Sequence, residues 1–256
     1  MTHETGRFPL WDLRDQLARH RFVDLTHAFF PGQPHFPQFP DERREQIFAA
    51  AADGFTVHTY THVGQWRTHV DPPSHFVDGG RTLDDVPVEQ MLLPLVVLDI
   101  SDRVAADSDA VPTVADVHGW EERNGPIPAG AFVALRTDWS RRWPDPDAVA
   151  NLDEDGRAHY PGWTREVLVD LVERCDVAAV GHETTDTDPG SSTAAGDFGL
   201  ELYLLQQDRW QIELMTNLHD VPEAGAVLLA SWPKPQGGSG FPARVVAICP
   251  TEPSAA

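Results

Sequence analysis

The sequence is short of positive charge. Of its 256 residues only 19 are basic against 40 acidic, a formal net charge of −21, and Lys234 is the sole lysine. Nucleic-acid binding needs a basic stripe to neutralise phosphates, and none exists, so that class is excluded, as is docking on an anionic membrane surface. Cysteine is equally scarce. Cys175 and Cys249 both lie in apolar surroundings and neither belongs to a CxxC pair. This excludes a disulfide framework and a structural zinc site, and predicts two buried free thiols. No apolar run approaches the ~18 residues of a membrane span, and residues 1–20 lack the basic head and apolar stretch of a signal peptide. These absences predict a cytoplasmic, soluble protein, and the arginine-over-lysine skew suits a GC-rich bacterial genome.

What is present is an ordinary globular composition, 41% hydrophobic and 9% aromatic, at a length that suits one large domain. The expectation is a single α/β domain over 1–256, with an N-terminal helical extension over 1–20. Residues 9–20 carry apolar positions at helical spacing. Residues 22–25 read as a strand entering the loop HAFFPGQPHFPQFP, whose prolines remove backbone donors and exclude a helix or central strand. Residues 55–62 alternate and predict a strand, and 92–100 form an unbroken apolar run that predicts a buried central one. Further strands are expected at 131–136, 176–181, 210–215, 226–230 and 243–249. Helices are expected at 113–124, 164–174 and 200–207, the first two with a threonine N-cap.

Ligand-type side chains concentrate in residues 62–76, HVGQWRTHVDPPSHF, which hold three histidines and one aspartate. Imidazole and carboxylate are the usual ligands of divalent zinc and manganese. Residues two apart on an extended chain share a face, so His69 and Asp71 can grip one ion together. The prolines at 72 and 73 stiffen a turn that returns His75 towards that ion, where a histidine serves as general base or acid. A polar loop whose histidines cap backbone groups is the plainer reading, and the density of the cluster argues against it. No GxSxG elbow surrounds Ser191 and Ser192, which excludes a serine triad. GGSG at 237–240 lacks the setting of a dinucleotide fingerprint and reads as a loop.

The stretch THVDPPSHF resembles the GTHxDxPxH motif of the cyclase-like metal hydrolases, a family that includes bacterial arylformamidases (kynurenine formamidases) and isatin hydrolases. DLTHAFFPGQPHFP, VGHETTDTDPG, IELMTNLHDVP and FPARVVAI are similar to four further segments of that family, in its order, over roughly residues 22–249. The resemblance implies the swivelling β/β/α fold and homodimers or homotetramers with active sites at subunit interfaces. It also implies hydrolysis of an amide-type C–N bond, in a formamide or cyclic amide, on a small-molecule substrate. His69 and Asp71 match metal ligands, His75 the catalytic histidine, and Glu213 a glutamate ligand.

Three positions depart from the family pattern. Gln65 stands where the first histidine ligand belongs, and Glu201 where two-zinc members carry a second-site histidine. The resulting set Gln65, His69, Asp71, Glu201 and Glu213 is rich in oxygen, which argues against the two-zinc pattern and leaves one ion or two open, manganese or zinc; His62 is a substitute if the backbone bulges. Arg67 replaces a glycine, and is expected to take an ordinary backbone conformation. Its guanidinium then either clamps a substrate carboxylate or carbonyl, or makes a surface ion pair. Phe36 falls near the family's aromatic pocket wall. A polyketide-type cyclase or dehydratase and a non-catalytic metal binder are the rival functions.

Overall fold

The structure, a computed structural model, describes residues 8–251; the first seven residues of the expected extension lie outside the described residues. Eleven strands are present among the described residues: β1 Arg21–Asp24, β2 Arg43–Phe48, β3 Val57–Thr61, β4 His69–Asp71, β5 Leu92–Asp99, β6 Phe132–Arg136, β7 Ala179–His182, β8 Trp210–Glu213, β9 Ala226–Ser231, β10 Phe241–Pro242 and β11 Arg244–Cys249. Nine of them form one sheet in the order β1-β11-β9-β5-β6-β7-β8-β4-β10. The four central strands β5 to β8 run parallel, and both flanks are antiparallel. This is the mixed α/β architecture expected.

Strand alternation builds two cores from one sheet. Leu93, Leu95 and Val97 of β5, Phe132 and Ala134 of β6, and Trp210 and Ile212 of β8 point to one face, where the sheet curls over its own side chains. Val96, Leu98, Val133, Leu135 and Val180 point to the other, beneath helices Val114–Asn124, Arg165–Val169 and Gly199–Gln206. Parallel strands buried on both faces have to be apolar at every position, which is why 95–98 reads as an unbroken apolar run. Thr113 caps the first helix through a capping box with Asp116. The expected 164–174 helix is present, but its second half, Asp170–Arg174, winds as a π-helix.

Other expectations shift at their ends. The N-terminal helix covers Pro9–Leu17 and buries none of its residues. The strand expected over 210–215 stops at Glu213, because Leu214 takes φ +51, outside the extended region. β2 was not expected; it pairs only with β3, in a two-stranded hairpin exposed along its whole length. No helix among the described residues is long and apolar enough to cross a membrane. Both cysteines are buried and free.

Candidate metal centre and catalytic cavity

The site grows from one antiparallel strand pair. β4 and β8 align His69 with Glu213, Val70 with Ile212, and Asp71 with Gln211. Val70 and Ile212 enter the core, so the alternating residues His69, Asp71, Gln211 and Glu213 all project on the helix-covered face. All four are buried. Helix Gly199–Gln206 supplies Glu201 from above, its first turn held by Asp188, whose two carboxylate oxygens accept from Leu200 N and Glu201 N at 3.0 Å each. The turn Pro73–His75 brings His75 beside them.

Within this cluster His69 Nε2 lies 3.1 Å from Asp71 Oδ2 and 3.4 Å from Glu213 Oε2, yet makes no hydrogen bond. His69 Nδ1 faces the Arg67 carbonyl at 2.6 Å. A carbonyl only accepts, so Nδ1 carries a proton, and Nε2, turned to the two carboxylates, is the atom whose lone pair a cation would take. A buried lone pair between two carboxylates is the donor set of a divalent cation, with the backbone carbonyl fixing the ring's orientation. Donor atoms of His69, Asp71 and Glu213 lie within 4.8 Å of one another, as do those of Asp71, His75 and Glu201. The residues present therefore fit a divalent metal ion.

The electrostatics agree. Burial pushes the Glu213 and Glu201 carboxyls well above the usual range, and the carboxylates around them push further. Burial works against a charge on His69 and on Asp71 alike, but with no cation bound Asp71 raises the His69 pKa, and His69 with His75 holds the Asp71 carboxyl down to about 2; a cation at His69 Nε2 takes the place of that proton. Three buried carboxyls packed this closely are a cost that a cation relieves.

Gln211, unforeseen in the sequence, ties the acids together. Its Nε2 donates to Glu201 Oε1 at 2.9 Å and Glu213 Oε1 at 3.0 Å, while Thr187 Oγ1 donates to its Oε1 at 2.5 Å. His182, also unforeseen, sits fully buried at the end of β7 with Nε2 3.4 Å from Glu213 Oε1. It looks like one more ligand, but its Nδ1 receives the Trp163 indole N–H at 3.3 Å. An indole only donates, so Nδ1 holds the lone pair and Nε2 holds the hydrogen. Burial, then the nearby His69, lowers the His182 pKa to about 3 and keeps the ring neutral. His182 thus presents N–H towards Glu213 rather than a lone pair to a metal. Its place on β7, two residues after buried Val180, was the available sequence signal.

Gln65 reaches the cluster in a different role from the ligand expected. Its Nε2 donates to Asp71 Oδ1 at 3.1 Å and to the Ser239 carbonyl at 2.8 Å, and lies 3.4 Å from His75 Nδ1. Two acceptors demand the nitrogen there, so the amide shows Asp71 a donor and not a metal-binding oxygen. The 237–240 loop is therefore part of the site. A Cβ on Gly240 would stand 2.0 Å from Gln65 Nε2 and 2.9 Å from Asp71 Oδ1. Gly240→Ala is expected to push the amide off both partners and to lower kcat/KM by about 10–100-fold while the circular dichroism spectrum is retained.

Arg67 corrects the expectation of an ordinary conformation. It keeps the left-handed backbone a glycine would supply, with φ +65. Its guanidinium turns away from the cluster, donates to the His27 carbonyl at 2.5 Å and stacks 4.6 Å from the Phe29 ring centre. It does not line the cavity, so the substrate clamp is not formed; these local contacts offset the backbone strain. His62 also stays outside, its Nδ1 2.8 Å from the Val63 carbonyl.

A cavity of about 270 Å³ opens over the cluster, with Gln65, His69, His75, Glu201 and Glu213 on its polar side. Phe36, Phe76 and Phe198 form the aromatic side, Phe36 meeting Phe198 edge-on at 6.2 Å. Phe36, expected near a pocket wall, is one of the residues lining this cavity. A flat aromatic group fits against these rings, with its polar edge towards His75 and His69.

The Cyclase family profile ("Putative cyclase") matches residues 23–189. Isatin hydrolase of Roseibium aggregatum is 33% identical over 243 residues, 89% of this chain and 91% of that protein. Kynurenine formamidase of Salinibacter ruber is 26% identical, over 88% of this chain and 93% of that protein. Among solved structures, isatin hydrolase A from Ralstonia solanacearum superposes with a TM-score of 0.88 at 34% identity, covering 97% of this chain and 100% of that one. With the profile matched over most of the chain and relatives similar along nearly their whole length, the protein belongs to the Cyclase family.

Proposed function

We infer that this protein is a metal-dependent hydrolase of an amide-type C–N bond, acting on a small aromatic lactam or N-formyl arylamine, with His69, Asp71 and Glu213 as the metal ligands. The observation that carries this reading is the unpartnered His69 lone pair, buried between two carboxylates at the floor of an aromatic-walled cavity. Its relatives include an isatin hydrolase and a kynurenine formamidase, names that describe cleavage of a cyclic amide and of a formamide. The family profile carries the name of a cyclase, but neither of these two relatives' names describes cyclase or dehydratase chemistry. The oxygen-rich set favours manganese over zinc.

A divalent cation bound here supplies Lewis acidity, polarising a carbonyl and making water a stronger nucleophile near neutral pH. The protein supplies the rest. Phe36, Phe76 and Phe198 orient the ring of the substrate and exclude bulk water. His75, partly exposed at the cavity wall with Nε2 3.8 Å from Glu201 Oε1, takes the proton from the attacking water and returns it to the departing nitrogen. Glu201, whose carboxyl burial and the neighbouring carboxylates push well above the usual range, and the Gln65 amide flank the His75 ring on its two nitrogens. The products are an aromatic amine and a carboxylate. Hydrolysis of N-formylaniline and isatin, each assayed with manganese and with zinc, tests the reading. At least one should be opened, and chelation should abolish turnover; equal turnover in chelated protein would sink it.

Exposed apolar side chains gather on two elements that leave the body of the fold. Leu10, Trp11 and Leu13 lie on the N-terminal helix, and Ile47, Phe48 and Tyr60 on the β2–β3 hairpin. A lone hairpin is only marginally stable in water, so a covering surface is needed, and a second copy of the chain supplies one. Light scattering is expected to give a homodimer or homotetramer, and the double variant Ile47→Asp, Tyr60→Asp a smaller species. Two buried free thiols suit the reducing cytoplasm.

A further inference from the structure

Behind the catalytic cavity lies a second one, of about 520 Å³. The two have Phe36, His35, Gln38, Thr185 and Asp186 in common, so a single layer of side chains separates them. The far chamber is walled by Val149, Ala150, Ala158 and Tyr160 and opens to solvent beside Leu152. Its partition is well braced on one side: Tyr160 OH donates to Asp186 Oδ2 at 2.5 Å, and Thr185 Oγ1 to the same oxygen at 2.9 Å. The other side is the proline-rich loop, where Phe36 meets its neighbours Phe39 and Phe198 only by tilted and edge-on ring contacts.

One polar group in the chamber has no partner. Gln33 is 1% exposed; its Oε1 accepts from Phe30 N at 3.2 Å, which fixes the amide orientation, and its Nε2 makes no hydrogen bond. A buried amide N–H left unmade costs of the order of 1–3 kcal/mol, so such a donor marks a place for an acceptor. Gln33 lines the far chamber and not the catalytic cavity. Asp147 and Asp186 border the same space, which disfavours an anionic acceptor.

We propose that the far chamber is the distal half of the substrate site, taking an uncharged ring or chain whose carbonyl or ether oxygen accepts from Gln33 Nε2. The proposal rests on the hydrolase reading and narrows it: the substrate is an arylamide extended beyond its first ring. The catalytic cavity alone is near the lower limit of small-molecule sites, and Phe36, which lines both spaces, is in this proposal the side chain that turns aside to join them.

The test compares a short and a long ligand on the full chain. Calorimetry gives dissociation constants for aniline and 4-aminobenzophenone, and hydrolysis is followed for N-formylaniline and 4-formamidobenzophenone. Wild type should prefer the long member of each pair. Ala158→Trp, which fills the chamber, should cut that preference at least tenfold. Ala194→Trp, at the exposed rim of the same chamber, should cut it too and carries no core packing. Gln33→Leu should cut it about three- to tenfold, the loss of one hydrogen bond. A preference unchanged in both tryptophan variants overturns the proposal. If neither formamide is cleaved, the hydrolase reading fails, while the binding preference still decides the chamber.

Discussion

His69→Ala is expected to strip the protein of its metal. His69 is the one nitrogen donor of the three proposed ligands, and the only one whose lone pair is presented by a backbone hydrogen bond, from Nδ1 to the Arg67 carbonyl. Its loss leaves Asp71 and Glu213 facing an empty volume, two buried acids with no cation and one imidazole fewer. Metal content by elemental analysis should fall from about one ion per chain to less than about a tenth after dialysis. kcat/KM should fall by at least about 1000-fold, a loss of about 4 kcal/mol in transition-state stabilisation. Asp71→Ala should do the same, since Asp71 belongs to both groups of converging ligand atoms. Full metal content in both variants would remove this ligand set.

His75→Ala should separate chemistry from metal binding. The His75 ring is partly exposed, faces the cavity, and makes no close contact to His69 or Glu213. The metal should therefore stay, at wild-type stoichiometry, while turnover falls by about 100- to 10,000-fold, the usual span for removing a general acid–base group. Substrate affinity should change little, because the aromatic wall is untouched. A variant that lost metal and activity together would show His75 to be a ligand, through the Asp71, His75 and Glu201 group. The pair of experiments thus divides the cluster into what holds the ion and what moves the proton.

Most of the sheet was legible because local pattern and tertiary environment coincide there. β5 is buried on both faces over 95–98, so its apolar run announces it, and the 69–71 segment announces itself by two-residue alternation of ligands. β2 was hidden for the opposite reason: every residue of it is exposed, so burial wrote no alternation into its sequence. The composition of the site was legible from the motif segments, but its hydrogen polarity was not. Whether Gln65 shows a donor or an acceptor depends on the carbonyl of Ser239, 174 positions away. Whether His182 shows a lone pair depends on Trp163, which no motif connects to it. Arg67 shows the converse: a residue that favours an ordinary conformation is held in a glycine-like turn that nothing in its identity announces.

The two buried histidines differ in how their tautomers are set, and that difference has an evolutionary meaning. The His69 tautomer is written by a main-chain carbonyl, which every residue at position 67 possesses, so no substitution there erases it. The His182 tautomer is written by a side chain, the Trp163 indole, and a single codon can remove it. Exchange of Trp163 for an acceptor would turn the His182 lone pair towards Glu213 and add a second imidazole to an oxygen-rich centre. The donor set offered to a cation is therefore fixed by the main chain at one histidine and open to change by one mutation at the other.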